Sequence, residues 1–134
     1  MRTKTIEIPI YNREIIMLSG NQQDCIKWIG EEYGLYTQWN ANASGYFVST
    51  ANSGGSGFIW CDKSTSYATL AHEAFHATHS IMDAIGGNLT HDSEESYAYL
   101  IGFIVDEWMD KDNWVSYSRT ELNNYKKKKQ KKKK

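Results

Sequence analysis

His72, Glu73 and His76 stand in the stretch TLAHEAFHATHS, residues 69–80, with the spacing H-E-x-x-H and a further histidine at 79. On a helix, His72 and His76 are ~40° apart around the axis and ~6 Å along it, so both imidazoles can close on one metal ion. Glu73 lies ~60° round from His76 on the flank of that face, within reach of a water held at the metal. Two neutral nitrogen donors beside a carboxylate base are the parts of metal-assisted hydrolysis. Ordinary residue usage puts these three residues at these places in about one chain in a few hundred of this length. Ala71, Ala74 and Ala77 stand beside the histidines and are small enough to leave room for an ion.

A zinc site takes a third protein ligand. The metzincin continuation requires glycine and histidine where this chain has His79 and Met82, which excludes that class. His79 shares the His72 face but lies ~10.5 Å along the axis, too far for the three to share one tetrahedron. Glu94 and Glu95, in DSEESYAYL, are the next candidates. A doubled-back second helix would set one of them opposite the pair. Acids at a helix start also complement the positive end of its dipole, so either residue has a structural reason to be there.

The elements that must position these groups follow from the apolar pattern. KTIEIPIY (4–11) and REIIMLSG (13–20) read as strands, the first at a sheet edge because Pro9 cannot donate to a ladder. From Gln22 to Tyr33, Cys25, Ile26, Ile29 and Tyr33 recur at helical spacing, with Gly34 as a stop. ASGYFVST and SGFIWCD read as short strands joined by the turn NSGG. A helix through the histidines starts near Ser64, Thr65 and Ser66, whose oxygens suit an N-cap, and ends at Gly86–Gly87. After the loop NLTHD, a second long helix carries Ala98, Ile101, Val105 and Trp108 as an apolar stripe, widened by Leu100 and Ile104. This order predicts an α+β fold, a small, mostly antiparallel sheet with its helices on one side and the HExxH helix packed against the second long helix.

TLAHEAFHATHSIMDAIGG and SEESYAYLIGFIVDEW together resemble gluzincin-type metallopeptidases, and more narrowly the small HExxH proteins of bacteriophages and prophages that carry E-x-x-A-Y-L. The likeness covers residues 69–108; IEIPIY and GFIWCD are weaker echoes. It implies zinc held by His72, His76 and Glu95, with Glu73 as catalytic base. Glu95 fits because Ala98 and Tyr99 follow at the required places; Glu94 is the alternative. It also implies that GFIWCD, the strand before the metal helix, is an edge strand on which an extended peptide or protein substrate adds by backbone pairing. His79, His91, Tyr97 and Tyr99 are candidate donors to the oxyanion. The companion reading is a zinc-containing phage module that binds a protein without turnover.

Charge is unevenly placed. Residues 1–125 hold seven Lys+Arg against sixteen Asp+Glu, a net −9, while Lys126–Lys134 hold eight lysines. The chain reads as one metallopeptidase-like domain over 1–118 and a lysine-rich tail over 119–134, through which alone nucleic acid could be held, by counterion release. No stretch approaches the ~20 apolar residues of a membrane span. The opening MRTKTIEIPIY lacks the core of a secretory signal, and Cys25 and Cys61 read as free buried thiols. All three point to the cytoplasm, the bacterial host's if the gene is a phage's.

Overall fold

The apolar runs IIML and GFIWC determine the architecture, because a strand apolar at every position needs cover on both faces. The computed structural model describes residues 1–36, 38–49, 56–118 and 120–123. In it β1 (Arg2–Ile8), β2 (Arg13–Ser19), β3 (Gly45–Ser49), β4 (Gly57–Cys61) and β5 (Val115–Ser116) form one sheet in the order β3-β4-β2-β1-β5. The helices are α1 (Gln22–Tyr33), α2 (Tyr67–Ala84) and α3 (Glu94–Met109). The class is α+β. Three of the pairings are antiparallel, and the central one, β2 with β4, is parallel.

That parallel pair corrects the one-sided arrangement expected from the element order. Ile15, Met17, Ile59 and Cys61 face α2 and α3, joined by Ile6 and Ile8 of β1. Ile16, Leu18, Phe58 and Trp60 face the other way, onto Cys25, Trp28 and Ile29 of α1 and onto Trp39. Alternation along each strand therefore feeds two cores, one per sheet face. Two further expectations change. β1 is covered at its start by β5, through Arg2↔Ser116 and Thr3↔Val115, and Pro9 lies in the hairpin turn. GFIWC is not an edge strand: all five residues are buried between β3 and β2. The turn NSGG and the lysine run 126–134 lie outside the described residues.

α2 begins where Ser66 Oγ accepts the Thr69 N–H at 3.2 Å. It ends in a turn where Gly86 takes φ 82°, a left-handed conformation open to a residue without Cβ. Leu70, Ala74, Ala77, Thr78 and Ile81 form its buried face. Ala74 and Ala77 lie ~140–160° around the helix from His72. Their small size serves the packing of α2 on the core, not the histidine face.

α3 is rotated from the expected stripe. Tyr97, Leu100, Ile104 and Trp108 are buried, Ile101 and Val105 half-buried, and Ala98 exposed. Tyr97 can turn inward because its hydroxyl donates to Gly87 O at 3.1 Å, which pairs the polar tip of the ring. The far end is held by Lys4, 4 % exposed, whose Nζ donates to Glu107 O at 2.7 Å and Asp110 O at 3.1 Å. α1 shows a smaller rotation, with Trp28 rather than Ile26 buried beside Cys25 and Ile29. Among the described residues, no helix is long and apolar enough to cross a membrane.

Candidate functional site

The two HExxH imidazoles meet. His72 Nε2 and His76 Nε2 are 3.0 Å apart, with ring centroids at 4.7 Å and planes at 74°. Two zinc–nitrogen bonds of ~2.0–2.1 Å at a tetrahedral angle would set the nitrogens ~3.3 Å apart. The pair is thus within a few tenths of an ångström of a two-ligand geometry. Both side chains are exposed, on the rim of a groove of about 610 Å³ between α2 and β3.

Glu73, one residue on, is 6 % exposed. Burial pushes its carboxyl above the usual carboxylate range; His76, His72 and a hydrogen bond from the Phe47 backbone N–H pull it partly back. The sheet register explains that bond. Asp62 N donates to Ser44 O at 3.1 Å, so Gly45 and Cys61 face each other as a non-hydrogen-bonded pair. Gly45, Phe47 and Ser49 therefore turn their backbone N–H and C=O groups away from β4, toward the open edge of the sheet. The Glu73 carboxylate takes one of these edge donors.

Gly45 makes the approach possible. A Cβ there would come 2.7 Å from Thr69 Cγ2 and 3.1 Å from Glu73 Cγ. Nothing in the sequence around Gly45 marked it, since its role depends on a helix more than twenty residues downstream.

The other candidates are placed less favourably. Glu94 is exposed, with its carboxylate 3.9 Å from His91 Nδ1. Glu95 is exposed and lies ~160° around α3 from the inward-facing Tyr97, while Glu94 lies ~60° from it. Neither is brought to the imidazole pair: among the described residues, no three His, Cys, Asp or Glu side chains form a metal-holding group. Of the proposed oxyanion donors, only His79 lines the groove, its ring stacked near Phe75 at 6.3 Å. His91 is exposed in the α2–α3 loop, the Tyr97 hydroxyl is engaged with Gly87 O, and Tyr99 lines a separate apolar cavity with Ile8 and Phe103. The groove instead holds Tyr46, whose hydroxyl accepts from Asn40 N at 3.3 Å and whose ring stacks on Trp39 at 5.6 Å. Nothing in the sequence distinguishes Tyr46 from an ordinary strand residue.

Cys25 and Cys61 are free and buried, as read from their spacing, and burial pushes each thiol up to about 12. Neither lines the groove. Comparison of the chain with protein-family models, with curated proteins and with solved structures finds no match.

Proposed function

We propose that this domain is a zinc-dependent peptidase-like hydrolase whose site is the groove between α2 and β3. The observation that carries the reading is the 3.0 Å approach of His72 Nε2 to His76 Nε2 beside a buried Glu73. His72 and His76 would hold the ion. Bound zinc would supply Lewis-acid activation of water and of the scissile carbonyl.

The chain's own groups do the rest. The Glu73 carboxylate accepts the proton of the attacking water and returns it to the leaving amine nitrogen, and its partial burial favours holding that proton between the two steps. A peptide enters extended along β3, pairing with the outward N–H and C=O groups of Gly45 and Ser49 and the C=O of Phe47, whose N–H stays with Glu73. This moves the strand-addition edge from GFIWCD, which is interior, to β3. His79 is the groove's side-chain donor on the α2 face for the developing oxyanion.

Glu94 and Glu95 remain the acids proposed for the third ligand. No α3 residue lines the groove, so recruiting either would require α3 to move relative to α2. Their exposure favours a second reading, in which zinc is bound at the imidazole pair without turnover.

Metal analysis of the full chain beside His72→Ala, Glu94→Ala and Glu95→Ala, with peptide-library cleavage by the native protein and Glu73→Gln, tests both. The expected result is stoichiometric zinc lost in His72→Ala, and cleavage lost in Glu73→Gln with zinc retained. Zinc without cleavage in the native protein leaves the second reading. No zinc above the His72→Ala background removes both.

A further inference from the structure

A second cavity, of about 470 Å³, shares no lining residue with the groove. It lies where β1 starts, α2 starts and α3 ends, and its size is in the range of ligand pockets. Three of the seven basic residues in 1–125, Arg2, Lys63 and Lys111, line it, in a body of net charge −9. Exposed Tyr67 and Met109 give it an apolar lining over buried Leu70 and Trp108.

The three cations have no acidic partner among the described residues. Arg2 instead rests its guanidinium 5.0 Å from the Trp114 ring centroid. Nearby Lys4 is the contrast, ion-paired at 3.3 Å to Glu107 and 3.6 Å to Asp110. Lys4 already serves the carbonyls and acids at the end of α3, so the other three are not needed there. The cavity's one lining acid, Asp62, is engaged in its own turn, accepting from Ser64 N at 2.9 Å and Ser64 Oγ at 3.1 Å. Like charges gathered around one cavity repel, and an anion between them reverses the sign of the interaction.

We propose that this cavity binds a small organic phosphate, with its phosphate on Arg2, Lys63 and Lys111 and its apolar part against Tyr67 and Met109. A phosphate monoester carries about −1.5 to −2 at neutral pH and several strong acceptor oxygens, which suits three separate cations better than a single carboxylate does. Thr65 and Ser66 line the same cavity at the start of α2. The site is independent of any metal at the imidazole pair.

Amide NMR spectra of the full chain titrated with AMP, adenosine and inorganic phosphate test it. AMP is expected to give saturable shifts at the Thr65, Ser66, Leu70 and Lys111 amides, with adenosine and phosphate each at least tenfold weaker. Lys63→Gln/Lys111→Gln should weaken AMP roughly tenfold or more, while Lys27→Gln, outside the cavity, changes nothing. Both lysines are exposed, so the fold is expected to survive, which a thermal melt checks; Arg2→Gln is a second variant with the same expected loss. The lysine run 126–134 is intact in all of these variants. AMP shifts confined to that run, or an affinity indifferent to the cavity substitutions, overturns the site. Phosphate alone binding as tightly as AMP overturns its apolar half.

Discussion

Replacing Gly45 by alanine should strain the contact between β3 and α2 at the point where Glu73 is held. The added Cβ would stand 2.7 Å from Thr69 Cγ2, 3.1 Å from Glu73 Cγ and 3.3 Å from Trp60 O. Overpacking of this kind costs about 1–3 kcal/mol. Against it, alanine recovers roughly 0.5–1 kcal/mol of chain entropy that glycine loses on folding. The net expectation is a loss of up to about 2.5 kcal/mol, centred a little above 1, or a melting temperature lower by roughly 3–8 °C for a domain of this size. Thr69→Ser removes the Cγ2 that makes the closest contact, so Gly45→Ala/Thr69→Ser should recover part of the loss, a coupling readable in a double-mutant cycle. The Phe47 amide, held by Glu73, should shift in Gly45→Ala and return toward its native position in the double variant. A melting temperature for Gly45→Ala within 1 °C of the native value, or additivity with Thr69→Ser, would refute the close-approach account.

Two other consequences are open to simple measurement. With burial pushing both thiols up to about 12, Cys25 and Cys61 should resist a thiol reagent at pH 8 in the folded protein and both react once it is unfolded in urea; rapid labelling of the native form would contradict their placement. Ile10 is 95 % exposed and holds φ 73°, a conformation that costs a β-branched residue about 1–2 kcal/mol, so Ile10→Asn should stabilise the protein by about 1 kcal/mol in urea unfolding; a destabilised variant would show that the side chain has a partner.

The sequence was most informative where a single element decides the outcome. The span of α1, the Ser66 cap of α2 and the Gly86–Gly87 stop depend on local chemistry and read directly. So did the approach of His72 to His76, since four residues on one helix leave little freedom. It was least informative where two elements must be oriented together. The inward face of α3 depends on whether Tyr97 finds a hydroxyl partner, and that partner, Gly87 O, lies across a loop. The E-x-x-A-Y spacing favours Glu95 but carries no information on how α3 is rotated. The second core was legible in principle: IIML and GFIWC do not alternate, and a strand without alternation is covered twice. β5 left no trace, being two exposed residues whose pairing is supplied by β1.

Tyr117 N donates to Met1 O at 2.8 Å, directly after Ser116 closes on Arg2. β1 therefore keeps one flank bare until residues 115–116 have been synthesised. Its central neighbour β2 waits a shorter time, since Ile15 pairs with Gly57. Loops that long are slow to close. A nascent chain arrested before residue 115 would present this flank of β1 as an open template to other chains, and it is the pairing of β5 over Arg2 and Thr3 that blunts the edge.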